Sequence, residues 1–152
     1  MANKFKWYDK ELIQKVNTEG IKAIAKACFM VESDVKQSMK PGSGREYNKP
    51  GGKIHRASAP GQPPAVDEGR LRASVSSNWT GSGMEKGKVG AQAESDDGVG
   101  KPTEKLTGVV GTNVEYGPYL ELGTSKMKPR PSFRPGLHRN EKKIAKFFKN
   151  II

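Results

Sequence analysis

From Asp9 to Met39 the apolar residues Ile13, Val16, Ile24, Cys28, Val31, Val35 and Met39 recur at intervals of three, four or their sums. That spacing marks one face of a helix on the 3.6-residue period. It predicts a long amphipathic helix over residues 9–39, about 45 Å in length at a rise of about 1.5 Å per residue. Gly20 interrupts the stripe, so a bend there, or two helices broken near it, are the alternatives. One glycine inside a helix costs only about 1 kcal/mol, which favours continuity. A rod of this length exceeds what a small domain needs, so one end is expected to project or to pack on a neighbouring copy.

Periodicity then stops. Residues 40–67 are rich in Gly, Pro, Ser and basic side chains, and a connection this long without structure of its own is uncommon unless it binds something. A flexible basic arm that orders between subunits is the expectation. Beyond it, a period of two returns: Val75, Ser77 and Trp79 alternate with Ser74, Ser76 and Asn78, and Val89, Ala91 and Ala93 alternate with Gly90 and Gln92. Strands are therefore predicted at Leu71–Thr80, Met84–Ala93 and Leu106–Asn113, forming an antiparallel sheet within 71–113 because the connections are too short for crossover helices. A basic amphipathic helix closes the chain from Pro135 to Ile151, with Leu137, Ile144, Phe147, Phe148 and Ile151 on its buried side. The predicted fold class is α+β. The long helix packs on a small antiparallel sheet, with a long basic loop, a short helix and a C-terminal helix.

A chain of 152 residues is one domain by size, here 1–152. Its hydrophobic content of 34% and mean hydropathy of -0.73 lie on the polar side. No run approaches the roughly 18 apolar residues of a membrane span. Met1–Trp7 carries lysines without a following apolar region, so a secretory signal is not expected and synthesis and use in a cytoplasm are. Cys28 is the single cysteine, which excludes an intrachain disulfide, and its place on the apolar stripe makes it a small hydrophobe. The net charge of +11 favours contact with nucleic acid or acidic protein surfaces. Only Tyr47 interleaves the basic loop, so sequence-specific base reading is not indicated.

Candidate chemistry is sparse. Ser58, Ser74 and Ser125 could serve as nucleophiles, but neither His55 nor His138 has a flanking acid at a recognisable spacing. Asp96 and Asp97 beside Gly98 fit an ordinary hairpin loop better than a metal site. No catalytic residue, metal or cofactor is expected.

The densest pattern lies at 116–137. Tyr116, Tyr119, Leu120 and Leu122 fit a short helical turn, with Pro118 tolerated near its start and Gly123 suited to its stop. Pro129, Pro131 and Pro135 then stiffen a path bearing Lys126, Lys128, Arg130 and Arg134, a path preorganised for docking. The alternative is a surface connection that merely links a strand to the last helix.

This stretch resembles the signature of the small head-tail joining proteins, also called neck or tail-completion proteins, of long-tailed double-stranded-DNA bacteriophages. Their pattern reads Tyr-x-x-Tyr-x-Glu-(aromatic or Leu)-Gly-Thr-Ser-(Lys/x)-Met, then Arg-Pro-Phe-(Leu/x)-Arg-Pro-Ala-Leu. Tyr116, Tyr119, Glu121, Gly123, Thr124, Met127, Arg130, Pro131, Arg134, Pro135 and Leu137 match. Ser132 is inserted or substituted before Phe133, and Gly136 stands where alanine is usual, which should weaken the last helix by roughly 1 kcal/mol. A second block, Ser58-Ala59-Pro60-Gly61 through Pro63-Pro64-Ala65-Val66-Asp67 to Gly69-Arg70-Leu71, resembles the family's Ser-Ala-Pro-Gly-x-Pro-Pro-Ala-Val-Asp-Thr-Gly-x-Leu element, with Glu68 replacing the threonine.

The resemblance implies a structural virion protein of the head-tail junction rather than an enzyme. It further implies several copies in a ring, with sixfold closure, between connector and tail proteins. Tyr116, Tyr119, Met127, Arg130, Phe133 and Arg134 are then the expected partner-binding residues, because tyrosine and arginine dominate interface energetics. A small basic nucleic-acid-binding protein is the alternative, and non-specific DNA contact is compatible with both.

Overall fold

The computed structural model describes residues 9–149 and Ile151. The expectation for Met1–Trp7 lies outside the described residues. Helix α1 (Asp9–Ser38) is followed by a hairpin of β1 (Glu46–Asn48) and β2 (Ile54–Arg56), a short α2 (Arg70–Ser74) and β3 (Ser76–Trp79). A 3-10 turn at Ser95–Asp97 precedes β4 (Gly108–Gly111), α3 (Gly117–Leu122) and α4 (Phe133–Phe148). This is an α+β fold with two small antiparallel sheets, β1 with β2 and β3 with β4.

Helix α1 is continuous through Gly20, as the small cost of a single glycine allows. One face of its carboxy-terminal part is covered, with Ala23, Ile24, Cys28, Val31 and Val35 buried. Val31, Val35, Met39 and Val75 form the core, and Val66, Leu71, Val110, Phe133 and Ile144 pack around them. α1, α2, β4 and α4 thus contribute one or two apolar side chains each, and the connecting segments add Met39, Val66 and Val75.

The sheet is smaller than predicted. Leu71–Ser74 is helical, because Ala73 N–H bonds Gly69 O at 2.8 Å and Val75 N–H bonds Leu71 O at 3.2 Å, so extended backbone starts only at Ser76. The strand expected at Met84–Ala93 is a loop that touches the fold through an isolated bridge between Lys86 and Gly100. Polar side chains on β3 explain this. Asn78 donates to the carbonyls of Met84 at 3.2 Å and Glu85 at 3.4 Å, and Ser76 Oγ accepts from Val99 N–H at 2.9 Å. Backbone pairing is limited to Gly87 N–H on Val99 O at 2.8 Å and Lys101 N–H on Glu85 O at 3.0 Å, after which Gly90 N–H turns to Ala73 O, so no longer ladder forms. Ser76, Ser77 and Asn78 are buried on both faces, so the alternation seen there did not separate core from solvent.

Within 40–67 the structure contains the β1–β2 hairpin, registered Glu46 to Arg56 and Asn48 to Ile54. Val66 N–H bonds Lys40 O at 3.0 Å, which joins the two ends of the segment beside the core, and Lys49 bonds Asp67 at 2.8 Å and Glu68 at 2.9 Å on the surface.

Helix α4 begins two residues earlier than predicted and ends at Phe148. It crosses α1 where Gly136 meets Val35. A Cβ on Gly136 would lie 2.7 Å from Val35 Cγ2, so the glycine that costs helix propensity permits the closest approach. Two residues expected on its buried side, Leu137 and Phe148, are 55% and 39% exposed instead. Too little sheet is present to cover them.

Candidate partner-docking site

Helix α3 and the turn after it make a frame for the signature residues. Pro118 sits in the first turn of α3, and Gly123, at φ 79°, ends the helix with its N–H on Tyr119 O. Thr124 and Met127 exchange backbone bonds in a tight turn, at 2.8 and 3.3 Å. The chain then returns beside α3, where Arg130 N–H bonds Leu120 O at 2.7 Å.

Glu121 ties this frame to α4. Its carboxylate accepts the backbone N–H groups of Ser132 at 2.7 Å, Phe133 at 3.1 Å and Arg134 at 3.0 Å. Those are amides with no partner inside the helix, and a negative charge there also meets the positive end of the helix dipole. Ser132 stands at the N-cap but makes no side-chain cap, so Glu121 caps α4 from another helix. Glu121 lies within the signature, yet nothing in its spacing links it to residues 132–134.

Four of the six predicted residues divide between two surfaces, and Met127 and Tyr119 lie on neither. Tyr116 and Arg130 border a cleft of about 460 Å³ that also includes His55, Ser58, Arg72 and Leu120. Arg130 is half-buried, and its Nε–H donates to Ser58 O at 3.2 Å, which fixes the guanidinium against the second sequence block. Gly61 N–H bonds Pro129 O at 2.9 Å beside it. Two blocks far apart in sequence are thus one structural unit. The Ser58 hydroxyl is buried there without a hydrogen-bond partner among the described residues. Burial raises the Tyr116 hydroxyl above the usual tyrosine range, while nearby Arg70 opposes that rise.

Phe133 and Arg134 belong instead to an apolar groove between α1 and α4. Phe133 also packs against the core, so part of its surface is already used. Met127 is half-buried in its turn, while Tyr119 and Leu122 stand 58% and 59% exposed on the outside of α3.

The expected charged surface is partly neutralised. Arg70 is bidentate to Asp97, at 2.9 and 3.0 Å, and also meets Glu94. The Asp97 bond holds Arg70 firmly in its charged form, and Arg70 in turn holds the Asp97 carboxyl below its usual range. Arg56 pairs with Glu46 across the hairpin, and His55 lies 3.5 Å from Asp67. Helix α4 differs: Lys142, Lys143 and Lys146 have no carboxylate partner among the described residues.

Cys28 lies buried on α1, and burial first, then Glu32, pushes its thiol up to about 11. It is a packing residue. Ser74 Oγ is engaged by Leu71 O at 2.7 Å and by Thr112 at 2.6 Å. Among the described residues no three His, Cys, Asp or Glu side chains converge to hold a metal ion, and no helix is long and apolar enough to cross a membrane. No protein-family model, curated protein or solved structure matches this chain.

Proposed function

We propose that this chain is a structural protein of a bacteriophage neck, joining head to tail or completing the tail as a ring that docks on connector and tail proteins. The mechanism is binding, with no bond made or broken. Its place is the head-tail junction of the virion, after synthesis in the bacterial host.

One observation carries this reading beyond the sequence resemblance. Within the signature, Glu121 and Arg130 face inward and brace the frame, whereas Tyr119, Leu122 and Arg134 are turned outward. A braced frame displaying a tyrosine, a leucine and an arginine supplies what interface anchors need: large apolar bodies, directional donors and little ordering cost.

The test is native mass measurement of the protein alone and with a tail-tube or connector preparation. Ring-sized or partner-bound species are expected. Monomer in both conditions would remove the proposal. Tyr119→Ala and Arg134→Ala should leave the monomer folded and stop tails joining filled heads. Arg134 is the cleaner arginine to change, because Arg130 also holds the fold through Ser58 O.

A second reading, non-specific contact with DNA, is favoured by Lys142, Lys143 and Lys146 together on α4. It predicts binding that weakens steeply as salt rises from about 50 to 200 mM. Binding indifferent to salt would exclude it.

A further inference from the structure

We infer that the cleft bordered by Tyr116 and Arg130 receives a single carboxylate on an apolar stem, as an aspartate or glutamate side chain of a docking polypeptide presents it. The carboxylate chemistry stands on the cleft itself, and its polypeptide source rests on the assembly reading above.

Ser58 lines the cleft at 5% exposure, and its hydroxyl has no hydrogen-bond partner among the described residues. A buried hydroxyl left unpaired costs stability that an alanine in its place would not. The Ser58 carbonyl, by contrast, is engaged by Arg130 Nε–H at 3.2 Å. Its neighbours are tied as well: Gly44 N–H bonds Ala57 O at 2.7 Å, and Gly61 N–H bonds Pro129 O at 2.9 Å. The segment is therefore held on both sides, so a ligand meeting the hydroxyl there has little chain left to order.

Arg130 supplies the charge. A guanidinium carries five donors in a fixed fork, and here only Nε–H is spent, on Ser58 O. Ion pairs are made by Arg56, Arg70 and Arg139, and neither Arg72 nor Arg130 makes one among the described residues. The two terminal nitrogens of such a fork match the two oxygens of a carboxylate. Tyr116 borders the same cleft with a phenol that stays protonated and can donate as well.

Pairing also decides the kind of anion. Among the other charged residues of the lining, Arg70 is held by Asp97 and Glu94, while Asp67 and Glu68 share Lys49. Arg72 and Arg130 thus remain for an incoming anion, with two carboxylates close by. That mixture accepts one negative charge and repels a run of them, which disfavours a phosphodiester chain. Met39, Val66, Leu71 and Leu120 complete the lining with apolar surface that a carbon stem covers. A volume of about 460 Å³ suits a ligand of a few side chains.

The experiment titrates full-length, nitrogen-15-labelled protein with butyrate, its neutral amide butyramide, inorganic phosphate and a short DNA duplex, following Arg130 Nε and the cleft amides by NMR. Butyrate should shift these signals saturably, butyramide should leave them unmoved, and phosphate and the duplex should bind the cleft at least tenfold more weakly than butyrate. A blocked Ala-Leu-Glu-Leu-Ala peptide should bind at least tenfold more tightly than butyrate. Ser58→Ala should keep or raise the thermal midpoint while weakening butyrate about tenfold, the worth of one hydrogen bond. Arg72→Gln, at an exposed position, should weaken it by a similar factor with the fold unchanged.

No saturable shift with butyrate or peptide, equal binding of butyramide, or tighter binding of phosphate or duplex would overturn the inference. So would a Ser58→Ala protein that binds butyrate as tightly as the wild type. A peptide no tighter than butyrate would overturn the polypeptide source. Ring-sized or partner-bound species together with a cleft that no probe enters would overturn this inference and leave the assembly reading standing. A cleft that binds butyrate in a protein that stays monomeric with tail and connector preparations would overturn the assembly reading and the polypeptide source, with carboxylate recognition upheld.

Discussion

The two parts of α1 share one helix and one apolar stripe, yet they meet opposite fates. From Gly20 to Met39 the stripe lies under β3, β4 and α4, and Val35 is wholly buried. From Asp9 to Glu19 the same stripe continues through Ile13 and Val16 with no buried residue. Helical periodicity therefore reports that a face wants cover, and says nothing of whether its own chain supplies it. In a chain this short and polar, the sheet and the last helix reach across only part of the rod.

Substitutions in the covered part should cost most. Val35→Asp buries an unpaired charge and should destabilise by about 4 kcal/mol or more. Against a total of about 5–15 kcal/mol for an ordinary domain, that abolishes cooperative melting or brings it near room temperature. Next, Gly136→Leu forces side-chain atoms into the crossing of α4 on Val35 and should cost about 1–3 kcal/mol in denaturant titration, despite better helix propensity. A neutral result would mean that α4 can stand off from α1 and that the covered part is loosely packed. Removing the carboxylate that holds the start of α4, by Glu121→Ala, strands three amides and should cost about 2 kcal/mol. Faster amide exchange confined to Ser132–Arg134 would identify the cause.

Acid should act on the covered part through Asp97, which joins the loop over β3 to Arg70. Its carboxyl is held below the usual range, by Arg70 first, so it stabilises the fold above the unfolded value of about 3.9. That contribution disappears as pH falls from about 3.9 toward the lower folded value. Thermal midpoints should therefore drop on acidification, and Asp97→Asn should flatten that limb while lowering stability at neutral pH. An acid limb unchanged in Asp97→Asn would assign it to other carboxylates. The bare tip should respond least: Ile13→Asp is expected to shift monomer stability by no more than about 0.5 kcal/mol. A larger loss would show that the tip is covered after all, erasing the difference between the two parts.

Long, strongly periodic elements were legible and short ones were not. Thirty residues of α1 average out local noise, and its continuity through Gly20 agrees with the small cost of one glycine in a helix. The helical turn at Gly117–Leu122 and the stop at Gly123 followed from Pro and Gly chemistry alone. By contrast, Leu71–Ser74 and Met84–Ala93 carry only a few alternating residues each, and tertiary bonds from Asn78 and Ser76 outweighed that pattern. Of the predicted docking residues, Tyr119 and Arg134 are exposed, while Arg130 and Phe133 also brace or pack the fold. No local signal separates an arginine that reaches outward from one that holds a carbonyl behind it.

The α+β class, the length and face of α1, the short helix with its glycine stop and the basic character of α4 all follow from the order of residues alone. They depend on periodicity, backbone stereochemistry and charge within a few neighbouring positions. Three outcomes needed the folded chain: the capping of α4 by Glu121, the meeting of the two signature blocks at Arg130 and Ser58, and the bareness of the first third of the long stripe. Those turn on which distant surfaces occupy a limited area of contact, a competition that no local spacing records.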